Sequence, residues 1–443
     1  MTPFSRPSFL PDELIAEVLS FLDVKSIMRF KCVCKFWNTL FSDPTFVKLH
    51  LKKSLKRNTH FLLITDHKTF IPGELPYGRD DETECEVGVI PYSIRTLLDN
   101  PSFTISVDSH YLLEDTRGSI TPEFAGSCNG LICLVYSSMI MDYSEFSLRL
   151  WNPATRTTSP KFGFVRLFRN PSAFPSAFDG HYTFTFGYDN STDTYKAVAT
   201  RYHRRNLRNE VKILSMGDNV WRDIQSFPID PLHLGSASKI TGVYFKNNIN
   251  WLGIQNKQSY DLGTETYHLY HPRNWLDIIK DITTVKQFVI VSLDLGTETY
   301  HLYQLPNAFD EVPPSKPNVG VLGDCLSFSY CYRETHFIIW QMKKFGVQDS
   351  WTQFLKISYH NLHIRYHYSD ENFNIVPLFL SENGETLILN CNQEVSQDIL
   401  YNWRNNTVVR TNITARKTIS DVRTVDNASC APQNYFESLV SVF

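Results

Sequence analysis

The feature that most limits the fold of this chain is a long succession of short apolar segments that begins near residue 59. Within each segment apolar and polar residues alternate, which is typical of half-buried β-strands. Several segments lead into a polar turn and then a second strand rich in Trp, Tyr or Thr. Examples are SLRLWNPATRTT, EVKILSMGDNVWRDI, FVIVSLDLGTETYHLYQL and DILYNWRNNTVVRTNI. The pattern predicts that nearly all of the chain after residue 60 is β.

This strand-turn-strand unit recurs along the chain. Equivalent positions are separated by 64, 79, 47 and 61 residues, at Leu150, Leu214, Leu293, Trp340 and Tyr401. The longest interval contains a duplication, because DLGTETYHLY occupies 261–270 and again 294–303, 33 residues later. We expect the first copy to be an insert in a loop near 255–285, since surface loops tolerate long insertions. A period near 50 indicates a β-propeller, of about six blades within a range of six to eight.

The start of the chain has a different periodicity. Pro11 suits the first turn of a helix, and Asp12 and Glu13 interact favourably with the positive end of its dipole. One stripe of this helix carries Leu14, Ile15, Val18, Leu19 and Leu22. Two further short helices are predicted, the second capped by Asp23 and the third ending at Ser42-Asp43-Pro44. Three helices in about forty residues have little interior, so this unit should need a partner.

The same segment resembles a known family. LPDELIAEVLSFLDVKSIMRFKCVCKFWNTLFSDPTFVKLHL is similar, without a gap, to the F-box of plant F-box proteins. The resemblance implies three helices that dock onto a Skp-type adaptor, which joins them to a cullin and a RING subunit. It implies that the adaptor-facing residues are Leu10, Pro11, Leu14, Ile15, Leu19, Leu22 and Val24. It also implies that Phe30, Val33 and Trp37 hold the helices together. Read from the residues alone, all of these could be ordinary core positions.

The β region resembles the same family. GSCNGLICL, LWNPATR, FGYDNSTDTYKAV, VKILSMGDNVWRDI and SENGETLIL appear in the order of F-box-associated domains, including the kelch-like and S-locus groups. The implied organisation is an F-box at 5–50, a linker at 51–60 and a substrate-recognition propeller at 61–443. The implied function is the substrate-recognition subunit of an SCF-type (Skp, cullin, F-box) ubiquitin ligase, which leads a target protein to ubiquitination and degradation. Neither the target nor the residues that bind it can be named from the sequence.

Composition argues against several other classes. With 43 Lys and Arg against 46 Asp and Glu, the chain lacks the basic excess of a nucleic-acid-binding protein. No apolar run reaches the length of a membrane span, and prolines interrupt the amino-terminal segment where a signal peptide would be apolar. Nine scattered cysteines suggest reduced thiols and a cytoplasmic or nuclear protein. No set of four closely spaced ligands appears, so neither a metal nor a cofactor is expected.

GSCNG at 126–130 suggests an alternative. A Gly-x-nucleophile-x-Gly sequence can form the elbow of an α/β-hydrolase, which would make Cys128 the nucleophile of a propeller-based enzyme or small-ligand sensor. The elbow needs a helix after the nucleophile, whereas Leu131 to Tyr136 alternate like a strand. We therefore expect Gly126 and Gly130 to be turn residues, Cys128 to be structural, and the chain not to be an enzyme.

Overall fold

Four helices precede a ring of β-sheets in the computed structural model. The model describes residues 11–54, 59–70, 83–107, 122–140, 142–168, 181–203, 208–229, 231–232, 242–255, 288–307, 309–364, 373–391, 397–417 and 424–442. The helices are α1 (Asp12–Leu19), α2 (Val24–Lys31), α3 (Lys35–Ser42), α4 (Pro44–Ser54) and α5 (Ile94–Asp99). We call α1 to α4 the helical unit. Within the described residues, no helix is both long enough and apolar enough to cross a membrane.

The helical unit has one helix more than the three that the sequence predicted. Pro44 ends α3, as expected, but it also occupies the first position of α4, where its missing N–H is not needed. Asp43 caps this fourth helix, because its Oδ1 accepts hydrogen bonds from the backbone N–H groups of Thr45 at 2.8 Å and Phe46 at 3.3 Å. The first part of the predicted linker is therefore helical as far as Ser54.

The strands follow one another in a regular order. Before the first complete blade they are β1 (Thr59–Phe70), β2 (Thr83–Ser93) and β3 (Ser102–Val107). The next strands are β4 (Glu123–Cys128), β5 (Leu131–Ile140), β6 (Tyr143–Asn152), β7 (Thr157–Thr158), β8 (Phe162–Phe168), β9 (Thr183–Asp189), β10 (Thr194–His203), β11 (Arg208–Ser215) and β12 (Trp221–Asp223). They continue with β13 (Val243–Phe245), β14 (Asn248–Ile254), β15 (Phe288–Asp294), β16 (Tyr300–Gln304), β17 (Asn318–Leu322), β18 (Cys325–Tyr332), β19 (His336–Met342) and β20 (Trp351–Ser358). The last are β21 (Ile375–Leu380), β22 (Thr386–Cys391), β23 (Gln397–Asn402), β24 (Thr407–Arg410), β25 (Asn412–Lys417) and β26 (Thr424–Phe436).

These strands form a six-bladed β-propeller, which confirms the predicted fold. Five blades are antiparallel sheets of consecutive strands, β4 to β7, β9 to β12, β13 to β16, β17 to β20 and β21 to β24. We number them blades 1 to 5; β8 adds a further strand beside β6 in blade 1. All five positions used to measure the repeat lie on the third strand of their blade.

Blade 6 closes the ring with strands from both ends of the β region. Its order is β2-β1-β26, with antiparallel pairing throughout. The strand nearest the propeller axis is β26, and β25 pairs in parallel with β3 beside this blade. Because the first and last strands share one sheet, the ring has no unpaired seam between its two ends.

Buried apolar side chains fill the space between each pair of neighbouring blades. Between blades 1 and 2, Leu148 and Leu150 pack in one cluster with Phe186 and Leu214. Corresponding clusters lie between blades 2 and 3, 3 and 4, 4 and 5, and 5 and 6. The sixth cluster joins blades 6 and 1 and includes the fully buried Tyr435. The core is thus a ring of six clusters, each shared by two sheets.

The polar turn found in the sequence is a recurring Asn or Asp turn. In blade 3, Asp294 Oδ1 accepts hydrogen bonds from the backbone N–H groups of Gly296 at 2.8 Å and Thr297 at 2.9 Å. Asn152 in blade 1 and Asn402 in blade 5 bind their own turns in the same way. The second copy of DLGTETYHLY makes the blade 3 turn and β16, whereas the first copy lies outside the described residues.

The helical unit contacts the propeller through the segment that follows β26. Asn152 Nδ2 donates hydrogen bonds to the backbone oxygens of Ser438 at 3.0 Å and Val440 at 2.8 Å. Leu439 lies between these two residues in the chain, is 5% exposed and packs into the core of the helical unit. An ion pair between Lys48 and Asp193 at 2.7 Å adds a second contact with blade 2.

Candidate functional site

For its length, the helical unit exposes more large apolar side chains than the propeller does. Of the fourteen large hydrophobic side chains that are exposed among the described residues, six belong to this unit. They form two groups, which we call the α1 stripe (Leu14, Val18 and Phe21) and the α2–α3 patch (Phe30, Val33 and Phe36). Concentrated exposure of apolar side chains marks an interaction surface.

The α1 stripe follows one face of the first helix and the turn after it. Leu14, Val18 and Phe21 are 52%, 66% and 45% exposed, and their spacing of four and three residues places them on the same side. A charged pair borders the stripe, because the Lys53 ammonium lies 4.5 Å from the Phe21 ring centroid and 2.7 Å from Glu17 Oε1. The stripe is therefore an apolar strip with a polar margin, as the core and rim of an interface are arranged.

Buried aromatic rings hold the α2–α3 patch in place. Phe36 meets the edge of Trp37, with ring centroids 5.3 Å apart, and Trp37 stacks on Phe41 at 5.5 Å. Phe41 is fully buried and contacts Phe46 at 5.1 Å. These consecutive ring contacts connect the buried core with the surface, so packing fixes the position of the patch.

A second candidate site is an open cavity on the axis of the propeller. Its volume is about 1080 Å³, and all six innermost strands (β4, β9, β13, β17, β21 and β26) contribute to its wall. This exceeds the volume of many small-ligand sites. No group of three or more His, Cys, Asp or Glu side chains arranged to hold a metal occurs among the described residues.

Cys128 lies in the cavity wall but lacks the setting of a nucleophile. It ends β4, and the next two residues, Asn129 and Gly130, have φ angles of 52° and 80° and turn the chain directly into β5. Such a two-residue turn joins antiparallel strands. The thiol is 6% exposed, and burial raises its pKa to about 12. Gly130 is needed for packing, because a Cβ there would lie 2.2 Å from Ser438 Oγ.

Comparison with known protein families identifies both parts of the chain. Residues 8–49 match the F-box domain, and residues 86–442 match the F-box associated beta propeller domain. The chain belongs to the plant F-box proteins that carry an F-box associated propeller. An F-box joined to a β-propeller has the organisation of an F-box substrate receptor.

Known plant F-box proteins are similar over most of the length. An F-box/kelch-repeat protein of Arabidopsis thaliana is 27% identical over 79% of this chain and 80% of its own length. The F-box protein CPR1 of the same plant is 23% identical over 78% of this chain and 72% of its own. Among solved structures, the Dos1 propeller aligns with 80% of this chain and over 75% of its own length, with 8% identity and a TM-score of 0.34. That last likeness is too distant to add to the assignment.

The F-box residues predicted to face the adaptor occupy different environments. Pro11 and Leu14 are exposed, and Ile15, Leu19 and Leu22 are half-buried. Val24 is 1% exposed, and its contact with an adaptor stays a prediction. It begins α2 and turns inward with Ile27 toward Phe41, Phe46 and Leu439. Leu10 lies outside the described residues.

The three residues predicted to hold the F-box helices together also differ in burial. Trp37 packs against the core, and Phe30 lies at its margin, 39% exposed with its ring 6.2 Å from that of Trp37. Val33 is 68% exposed because it falls in the turn between α2 and α3 rather than on an inner helix face. The residues that fill the core are Val24, Ile27, Phe41, Phe46 and Leu439. Phe46 and Leu439 could not be found by helical spacing within residues 8–44.

Proposed function

We propose that this F-box protein is the substrate-recognition subunit of an SCF-type ubiquitin ligase. The helical unit would bind a Skp-type adaptor, and through it a cullin and a RING subunit. The propeller would bind a target protein, which is then ubiquitinated and degraded. The observation that carries the proposal is the exposed apolar surface concentrated on the F-box helices.

The exposed residues define the proposed adaptor face more narrowly than the sequence did. Leu14 remains at its centre, and Val18 and Phe21 join it on the α1 stripe. The half-buried Ile15, Leu19 and Leu22 would support the stripe from below while keeping part of their surface available. Covering an apolar side chain removes its surface from water, which favours association. An apolar partner surface fits this stripe best.

The contacts between the F-box and the propeller suit a receptor that must place its target. Leu439 is held by Asn152 of blade 1 and buried in the helical core, and Lys48 pairs with Asp193 of blade 2. With these contacts, an adaptor on the α1 stripe and a target on the propeller would keep a defined separation. The proposed role is non-catalytic, since chemistry would be supplied by other subunits, and it would be exercised in the cytoplasm, the nucleus or both.

The proposal is tested by placing a charge on the α1 stripe. Val18→Asp should weaken binding to a Skp-type adaptor by about 30-fold or more, because an unpaired carboxylate buried at an interface costs roughly 2 kcal/mol or more. Binding is measured by calorimetric titration of the purified full chain with the adaptor. Val18 is 66% exposed, so the substitution should leave the fold intact.

Val220→Asp is the matched control, since Val220 is a 61% exposed valine on blade 2, in the turn between β11 and β12. It should bind the adaptor like the unaltered chain. Equal adaptor affinity in both variants would remove the α1 stripe from the interface. Failure of the unaltered chain to bind any Skp-type adaptor, or to co-purify with a cullin from cells, would overturn the proposed function.

A further inference from the structure

The axial cavity contains a lysine that lacks a partner. Lys316 lies just before β17 and contributes to the cavity wall. No acceptor for its ammonium group is found within the described residues, although the side chain is half-buried. Burial alone lowers the pKa of Lys316 to about 8, with no carboxylate to offset it. A cation that has lost water without gaining a counter-charge attracts an anion strongly.

The acidic groups of the cavity are placed at its other end. Asp324 and Glu382 also line it, but they follow β17 and β21, whereas Lys316 precedes β17. Eight residues of extended chain between Lys316 and Asp324 span up to about 26 Å. The Lys316 end of the cavity is therefore positive and the opposite end negative.

The wall beside Lys316 is fixed by a pair of amides. Asn318 Nδ2 donates to Asn374 Oδ1 at 2.8 Å and to the backbone oxygen of Ile375 at 3.1 Å. This pair joins the innermost strands of blades 4 and 5 next to the lysine. The remaining surface nearby is mainly apolar and includes Leu232, Val319, Val376 and Leu378. A rigid apolar wall with one cation can select both the charge and the shape of a ligand.

We propose that the Lys316 end of the axial cavity binds a carboxylate group carried on an apolar body. The carboxylate would accept a charge-assisted hydrogen bond from the lysine ammonium, and the apolar body would cover the wall formed by the innermost strands. Such a group occurs at the carboxyl terminus of a peptide ending in an apolar residue and in small organic acids. This site is separate from the α1 stripe and does not depend on adaptor binding.

The experiment compares acids with neutral molecules of the same shape. The purified full chain is titrated calorimetrically with 4-phenylbutyrate and its amide, and with N-acetyl-Gly-Phe as the free acid and as the amide. Each acid that binds should do so at least tenfold more tightly than its amide. Preference for the peptide acid would identify a carboxyl terminus as the source, and preference for 4-phenylbutyrate would identify a small organic acid.

The pH dependence should identify the lysine. Binding of an acid favours protonated Lys316 and so raises its pKa from about 8. The affinity should therefore be constant between about pH 6 and pH 8, where the acid stays ionised, and fall about tenfold per pH unit above pH 8 until the pKa of the complex is reached. Lys316→Arg should keep the preference for acids but lose this pH dependence, because a guanidinium group does not titrate in that range.

Lys316→Met should abolish the preference for acids, whereas Lys344→Met, which alters an exposed lysine, should not. Equal binding of acid and amide, absence of binding by all four probes, or an undiminished preference in Lys316→Met would each overturn the carboxylate site. Adaptor binding is measured on the same preparations and should be unchanged by Lys316→Met. If the unaltered chain failed to bind the adaptor, that result would count against the proposed function and would leave the carboxylate site unaffected.

Discussion

The helical unit and the propeller bury their apolar residues in opposite ways. Each propeller blade shares its two faces with its neighbours, and blade 6 completes the ring, so the six clusters of the β region are closed. The helical unit has one small cluster, completes it with Leu439 from beyond β26, and still leaves six large apolar side chains exposed. The propeller core is thus completed by its own repeats, whereas the core of the helical unit depends on contacts from outside that unit.

The strongest test of this contrast is removal of the central ring of the helical core. Phe41→Ala should destabilise the helical unit by about 3–5 kcal/mol, because Phe41 is fully buried and contacts Trp37 and Phe46. Hydrogen exchange should become fast in α1 to α4 and remain slow in the central strands of blade 4. Phe36→Ala, at a 48% exposed ring, should change stability by no more than about 0.5 kcal/mol. Equal acceleration in blade 4 would show that the two parts unfold together.

A smaller effect is expected where the propeller holds the segment after β26. Asn152→Ala removes the donors to Ser438 and Val440 as well as the acceptor of its own turn. We expect a loss of about 1–3 kcal/mol, measured by urea unfolding, together with faster exchange in the helical unit.

The matched variant is Asn402→Ala, which removes the corresponding turn acceptor in blade 5. Within the part of the chain that the structure describes, Asn402 makes no hydrogen bond with the segment after β26, so this variant should leave the helical unit unchanged. If both variants affected the helical unit alike, Asn152 would have no special part in holding it.

The smallest expected effect is a dependence of the helical unit on pH. His50 is fully buried, with Nε2–H donating to the backbone oxygen of Leu22 at 2.9 Å. Burial lowers its pKa below the ordinary value, so in the folded protein it gains a proton at lower pH than in the unfolded chain. Its contribution to stability is present above the unfolded pKa of about 6.5 and is lost as the pH falls below it.

Thermal unfolding of the helical unit between pH 7.5 and 5.5 measures this effect. The melting temperature should fall on acidification, and the fall should be smaller in His50→Gln, which keeps an amide near Leu22 but cannot titrate. Identical falls in both proteins would assign the acid sensitivity to other groups.

The propeller was largely predictable because the same strand-turn-strand pattern recurs along its sequence. Alternation marked the strands, and the spacing of Leu150, Leu214, Leu293, Trp340 and Tyr401 located the third strand of five blades. The sixth blade has no such mark, because β1 and β2 precede the repeats and β26 follows them. Pairing across that separation is a property of ring closure, which no local pattern contains.

The helical unit was predicted less completely because its core is not local. Helical spacing cannot distinguish an inward Val24 from an outward Val18 when both lie among apolar residues. Family resemblance placed Val33 in the core, yet the turn after α2 directs it outward. The position of Lys316 in the cavity is equally hidden, since it follows from the meeting of six strands rather than from neighbouring residues.

The burial of Leu439 in the helical core sets an order of events during protein synthesis. A ribosome makes α1 to α4 first, but the side chain that completes their core is made only after β26. Until then the nascent helices lack both that residue and the blades that hold it. A chain broken off before Leu439 would thus carry an unfinished F-box, and adaptor docking would become selective for receptors whose propeller has already closed.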